Sequence, residues 1–437
     1  MGAPNFGSRL RYAARRVLKP PEEITLSALR RLSLRSLFAY LGPSLIVSMA
    51  YMDPGNYGTD IQSGASFAYD LLWTVWLANL MAMILQYLSG KLGIATGKGL
   101  PELIKQSLKV PKFTVPYWLA SEAAAAATDL AEYLGTVLAL NILFGIPLLY
   151  AAIFGALDVV ILLALTHERF RIVEYFFMVF VSIISIGFLY QVLLIQPSLS
   201  NIVYHSVAVS VNSNTILLVV GIVGATVMPH ALFVHSTLTK NKLTDGTLEE
   251  KRKHRRLHLR EVILTLTIAS LVNIAILVSA AAAFYPNYTG VSTINQAYAI
   301  LKPLYGYLAA TVFAITLLAS GLASSTTGTL AGQSIMDGLL GRHVNKNLRR
   351  IVTRVINVFP TTAAILIGLN PLSLLVYSQV ILSLMIPLPM IPLLIYTRRK
   401  SLMGEFVNRR ITTIFACLAA GLIVVLNIAL LVTTFGL

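Results

Sequence analysis

Two segments place a proline inside an otherwise apolar run, and both are flanked by groups that can bind a cation. The first is Ala50-Tyr51-Met52-Asp53-Pro54-Gly55-Asn56 and the second Gly224-Ala225-Thr226-Val227-Met228-Pro229-His230. Proline removes a backbone donor and clashes with the preceding turn, so each segment is expected to interrupt a helix. Gly55 loosens the first break further. Unwinding ahead of the prolines frees the carbonyls of Ala50 and Ala225. With the Asp53 carboxylate, the Asn56 amide oxygen and the Met228 thioether, these make a poor site for an anion and a good one for a divalent transition metal. A methionine alone in a span usually packs, but one placed before a helix-breaking proline and opposite Asp-Pro-Gly-Asn reads as a ligand. His230 stays open between ligand, proton carrier and hydrogen-bonded polar residue, the last two ahead of ligation.

The elements that must hold these groups follow from composition. Of 437 residues, 56% are hydrophobic and only 12% charged, where soluble domains carry about 25% charged residues. The mean hydropathy is +0.75. A membrane-crossing helix needs roughly 17–25 apolar residues. Eleven segments qualify: Leu37–Met52 with a possible extension to Phe67, Leu71–Ile94, Val115–Phe144, Pro147–Leu165, Ile172–Leu194, Thr215–Leu238, Val262–Phe284, Leu304–Ile335, Ile351–Leu369, Leu372–Tyr396 and Ile411–Phe435. The chain is thus an all-α polytopic membrane protein. At about 1.5 Å per residue, Asp53 lies ~24 Å beyond Leu37 and Met228 ~20 Å beyond Thr215, so both breaks fall well inside the bilayer. Freed backbone at that depth is tolerated only against protein or a wet cavity. Paired breaks in two halves point to a transporter binding site, and the odd number of spans between them makes the halves an inverted repeat.

The net charge is +16, which in a soluble chain would suggest nucleic acid. Its distribution says otherwise. With the amino terminus inside, 32 of the 34 lysines and arginines fall in the tail and the inner loops, leaving Lys91 near the end of the second span and Lys302 in an outer loop. This bias reports topology: amino terminus cytoplasmic, carboxyl terminus extracellular. No nucleic-acid role, separate soluble domain or obligate protein partner is expected; the partners are the ions carried and the lipid bilayer. The basic loop Thr239–Arg260 reads as a solvated helix or turn beside anionic headgroups. Asn287-Tyr288-Thr289, on the outer side, fits a glycosylation sequon of a kind common by chance. A single cysteine, Cys417, excludes an internal disulfide and a cysteine-cluster zinc or iron–sulfur centre. His167-Glu168 lacks the second histidine of a metalloprotease helix, and no enzyme activity is expected.

The third span holds Glu122, Asp129 and Glu132. Spacings of seven and three put them on one helical stripe, and acids at that depth line a polar interior. Either a transport role or a structural salt-bridge network fits them, and Arg349 and Arg350 could supply counter-charge. His235, five residues past His230, reads equally as lining the inner exit or as hydrogen-bonding there.

At these residues the sequence resembles the Nramp family. Asp53-Pro54-Gly55-Asn56 and Met228-Pro229-His230 look like its two signature motifs, and Leu80–Thr96, Thr128–Leu134, Ser320–Gln333, Leu348–Arg354 and Ser378–Leu384 also match. The resemblance runs from Phe38 onward; Met385 departs mildly from the glutamine common there. It implies a LeuT-type fold: a cytoplasmic tail over 1–36, five-helix repeats over 37–200 and 201–396 with helices 1 and 6 interrupted, and an eleventh helix within 397–437. It implies proton-coupled uptake of Mn²⁺ or Fe²⁺, with breadth towards Co²⁺ and Cd²⁺, across a plasma membrane. The metal ions and protons are substrates, and no cofactor is implied. Asp53, Asn56, Met228 and the carbonyls of Ala50 and Ala225 carry over as metal ligands. Gln379 matches a residue that approaches the metal on occlusion. The implied proton route runs from Asp53 and His230 through Glu132 and Asp129 towards Arg349 and Arg350. Two alternatives stay open, a passive divalent-metal uniporter and an organic-solute transporter on the same fold.

Overall fold

The structure is a computed structural model that describes residues 42–108, 110–155, 170–240, 246–289, 291, 293–341, 348, 359 and 361–435. Among these residues the secondary structure is helical and no strand occurs. In chain order the helices are α1 (Pro43–Ala50), α2 (Pro54–Phe67), α3 (Leu72–Thr96), α4 (Leu100–Leu108), α5 (Pro111–Phe144), α6 (Leu148–Gly155), α7 (Phe170–Ile195) and α8 (Leu199–Val207). They continue as α9 (Ile216–Val227), α10 (Pro229–Lys240), α11 (Leu248–Phe284), α12 (Ile294–Leu340), α13 (Pro371–Met385), α14 (Pro387–Arg398), α15 (Lys400–Met403) and α16 (Arg410–Phe435).

Eight described helical segments are long and apolar enough to cross a membrane, against the eleven expected. The first expected span is divided into the short helices α1 and α2. Much of Pro147–Leu165 and of Ile351–Leu369 lies outside the described residues. The basic loop is no separate element: its KRKHRR run forms the start of α11, continuous with the span that follows. The triplet at Asn287 sits in an exposed turn after α11.

Burial orders the bundle. The segment Ile216–Lys240 is 94% buried across its most apolar stretch, whereas Ile172–Ile195 is 28% and Arg410–Phe435 33% buried. The broken helices therefore form the centre, and α7 and α16 present leucine, isoleucine and phenylalanine outward, as helices against lipid do. Around the centre α2 packs on α11 and α13, α9 on α13 and α3, and α10 on α3 and α12; α5 and α12 form the most extensive helix pair.

Both predicted breaks are present, and each has a local cause. Asp53 is the N-cap of α2, its Oδ1 accepting from Asn56 N at 2.9 Å, and Pro54 takes the first helical position. Proline suits that position, where its missing donor has no intrahelical acceptor anyway. At the second break Met228 caps α9 with φ 40° and ψ 109°, and Pro229 opens α10. A side chain with positive φ is strained, and surrounding structure must hold it. The unwound carbonyls are covered from neighbouring helices. Asn273 Nδ2 of α11 donates to Tyr51 O at 3.0 Å, and Ser320 Oγ of α12 donates to Met52 O at 2.5 Å. Two further interruptions lie outside the expected pair. Gly306, with φ 91°, kinks α12, and Ile386 separates α13 from the proline-rich α14.

Candidate functional site

The two breaks meet. Asn56 Nδ2 donates to Asp53 Oδ1 at 2.7 Å and to Ala225 O at 3.2 Å, and Asn56 Oδ1 accepts from Asn273 Nδ2 at 3.2 Å. One amide therefore ties the first break to the second across 169 residues of chain. Met228 is fully buried one turn beyond Ala225, and Ala50 closes α1 on the other side. Gln379 of α13 lies directly over Gly55: a Cβ there would come within 1.7 Å of Gln379 Nε2 and 2.9 Å of Asp53 Oδ2. Likewise a Cβ on Gly224 would come within 1.9 Å of Gln379 O, so a glycine there lets α13 reach the centre. Of the expected set, Asp53, Asn56, Ala225 and Gln379 come together here, Met228 and Ala50 stand three residues from Ala225 and Asp53 along the chain, and each of the six is at most 1% exposed.

Several buried acceptors in this cluster have no hydrogen-bond partner: Asp53 Oδ2, Gln379 Oε1, Thr226 Oγ1 and Asn273 Oδ1. Leaving such atoms unpaired costs about 1–3 kcal/mol each in an apolar interior, and their lone pairs are open to a cation. The donor set fits a divalent transition metal: one carboxylate, amide and carbonyl oxygens, and one thioether. Among the described residues no group of three or more His, Cys, Asp or Glu is assembled elsewhere as a competing metal site.

His230, two residues past Met228, faces α5. Its Nδ1 lies 3.0 Å from Thr128 Oγ1, and that hydroxyl also lies 3.2 Å from Ala124 O. With the hydroxyl donating to Ala124, the ring's Nδ1–H donates to Thr128, which assigns the lone pair to Nε2. That nitrogen is buried without a partner. The next residue of α5 is Asp129. A Cβ on Gly328 of α12 would lie 2.7 Å from both Asp129 Oδ1 and Glu132 Oε2, so the two carboxyl groups share one niche cut into α12. Glu132 is fully buried, Asp129 is 8% exposed, and Glu122 is half-buried nearer the start of α5. Arg349 and Arg350 lie outside the described residues.

His235 belongs to a second polar chain. Its Nδ1 donates to Gln86 Oε1 at 2.8 Å, Gln86 Nε2 donates to Tyr51 Oη at 2.7 Å, and Ser44 Oγ lies 3.4 Å from His235 Nε2 and from Glu261 Oε2. His235 is thus hydrogen-bonded between α3 and α1, with the His258 ring 4.9 Å away.

Five polar residues outside the expected set complete the centre and its surroundings: Thr226, Asn273, Ser320, Thr128 and Asp60. Asp60 lies two turns beyond Asp53 on α2, 1% exposed, with both carboxyl oxygens unpartnered. A lone Asn in an apolar run carries a sequence signal that could have found Asn273, whereas Asp60 sits among polar and small residues of α2 and carries a weaker one. Serine and threonine hydroxyls usually bond their own helix and carry none.

Comparison with known proteins gives the family and the fold. The family described as natural resistance-associated macrophage protein-like, Nramp, matches residues 44–433. A divalent metal cation transporter MntH of Deinococcus radiodurans is 42% identical over 394 residues, 90% of this chain and 89% of that protein. Its counterpart in Acidiphilium cryptum is 43% identical over 404 residues, 92% of each chain. Among solved structures, an Eremococcus coleocola manganese transporter in complex with an aromatic bis-isothiourea substituted compound superposes with TM-score 0.83 at 31% identity, covering 95% of this chain and 89% of that one. The nucleobase-cation-symport-1 transporter Mhp1 shares the fold at TM-score 0.58 and 14% identity. With the family match over residues 44–433, relatives above 40% identity along nine-tenths of the chain and the fold in common, the chain belongs to the Nramp family of multi-pass membrane transporters and is not an enzyme.

Proposed function

We propose that this protein imports divalent transition metal ions, Mn²⁺ or Fe²⁺ first, with Co²⁺ and Cd²⁺ also carried, by proton-coupled alternating access across a plasma membrane. The observation that carries the reading is the meeting of Asp53, Asn56, Met228, Ala225 and Gln379 at two facing helix breaks. A cation at this point takes the place of the Asn56 amide nitrogen between Asp53 Oδ1 and Ala225 O, and a turn of the amide then presents its oxygen. Asp53 Oδ2 and Gln379 Oε1 supply further lone pairs, and Met228 a thioether that disfavours hard Ca²⁺ and Mg²⁺. Relatives named as divalent metal cation transporters support the same cargo class.

In this reading the chain has eleven membrane-crossing helices. Repeats over 37–200 and 201–396 are inverted relative to each other, followed by a last helix within 397–437, with a cytoplasmic amino terminus over 1–36 and an extracellular carboxyl terminus. Because the centre is buried on all sides, cargo enters and leaves only as helices move, which is the basis of alternating access. The dication disfavours a proton nearby. The displaced proton then leaves Asp53 and His230 through Glu132 and Asp129 and passes along α5 towards Arg349 and Arg350.

Mn²⁺ influx into proteoliposomes, recorded with internal pH on one preparation, tests the reading. Saturable uptake that is stimulated by an inward proton gradient and lost in Asp53→Ala is expected. Uptake indifferent to the gradient makes the protein a passive metal uniporter. Uptake of an organic solute, with none of metal, removes the metal site altogether.

A further inference from the structure

We propose that a groove at the basic end of the bundle binds one anionic glycerophospholipid between α3, α11 and α16. The groove encloses about 600 Å³, and Lys91, Arg255, Arg256 and Arg409 line it with no carboxylate among its walls. Glu405, at the same end, does not line the groove and accepts from Arg252 at 2.5 Å. Four cations around one cavity repel each other unless an anion sits among them.

Lys91 makes the case sharpest. It is 3% exposed in the body of α3, donates to the neutral Asn408 side chain and stands 5.3 Å from the centre of the Tyr87 ring. A buried ammonium without a counter-ion is costly, and a neutral amide and a ring face offset that only in part. Arg255 is similarly placed 5.7 Å over the Phe406 ring. These contacts hold Lys91 and Arg255 at the groove wall, while Arg256 and Arg409 line it from exposed positions.

The other part of the groove is apolar and faces outward. Leu80, Ile263, Ile411 and Phe415 line it and are each at least half exposed. Leu80 and Lys91 stand 11 residues apart on α3, which is about 16 Å of helix. The charged end therefore lies at the membrane boundary, and the apolar end runs towards the bilayer core. A free phosphate would use the first alone. A phospholipid uses both, with its phosphate among the four bases and an acyl chain along the apolar wall. Basic pockets between spans at a membrane boundary bind anionic headgroups for this reason.

Native mass spectrometry of the purified full-length protein in neutral detergent tests the proposal, with dioleoyl-phosphatidylglycerol and dioleoyl-phosphatidylcholine as probes. One phosphatidylglycerol is expected to be retained at about tenfold lower concentration than phosphatidylcholine. Arg255→Gln with Arg409→Gln should weaken that retention by about tenfold or more. Arg398→Gln with Lys400→Gln, exposed at the same end but outside the groove, should leave it unchanged. Ile263→Trp narrows the apolar wall at constant charge and should also weaken it, which keeps the test decisive if the double arginine variant does not fold. Equal retention of the two lipids overturns the proposal. So does an equal loss in the Arg398/Lys400 variant, which means diffuse surface attraction, or full competition by glycerol phosphate, which means a plain anion site.

Discussion

The side-chain amide of Gln379 rests on Gly55, so close that a Cβ at residue 55 would come within 1.7 Å of Gln379 Nε2 and 2.9 Å of Asp53 Oδ2. Gly55→Ala should therefore displace both ligand groups at once. Groups that orient metal ligands are typically worth roughly 10- to 100-fold in metal affinity, and a loss of that order is expected by calorimetry with Mn²⁺. Unchanged affinity would show that Gln379 stands aside from the bound ion.

Asp53 is the one acid located at either break. Asp53→Ala should abolish saturable Mn²⁺ binding and uptake in proteoliposomes. Near-normal affinity in that variant sinks the proposed site.

Met228→Ala should keep much of Mn²⁺ transport, weaken Cd²⁺ most, and admit Ca²⁺ or Mg²⁺ as competitors, because a soft donor selects against hard cations. The readout is competition against Mn²⁺ influx. If Cd²⁺ is unaffected and Ca²⁺ still fails to compete, the sulfur only packs.

Glu132→Gln or Asp129→Asn should leave Mn²⁺ binding largely intact, since the ligands lie at the breaks, while reducing vesicle acidification and the stimulation of uptake by an inward pH gradient. Gly328→Ala probes the same niche sterically, as its Cβ would press on both carboxyl groups at 2.7 Å. Parent-like acidification in all three variants assigns the pair a structural role.

Asn273→Leu removes the donor to Tyr51 O. A buried carbonyl left unpaired costs about 1–3 kcal/mol, so a lower thermal-unfolding midpoint is expected, with weaker metal binding because Asn56 loses its partner too. An unchanged midpoint would mean that the unwound turn is satisfied in another way.

What the sequence determined by itself was local or statistical in origin. A proline within an apolar run breaks a helix wherever the chain goes, so both interruptions, Asp53 and Met228 were readable from neighbours in sequence. The acidic stripe on α5 followed from helical spacing, and the membrane class from composition. Span number was harder: the interrupted first helix has no single long apolar rod, much of two expected spans lies outside the described residues, and the basic start of α11 lengthens the helix that follows. Tertiary structure alone decided which groups meet. Asn56 faces Ala225 O, Gln379 crosses Gly55, and Asp129 with Glu132 fills the space left by Gly328. Asn273 and Ser320 cover carbonyls freed more than 200 residues earlier. Asp60 shows the same limit, because its two unpartnered oxygens depend on what packs around α2. Backbone breaking is set by a residue and its next few neighbours, whereas satisfying the broken backbone in a medium without water falls to whichever helix the fold brings alongside.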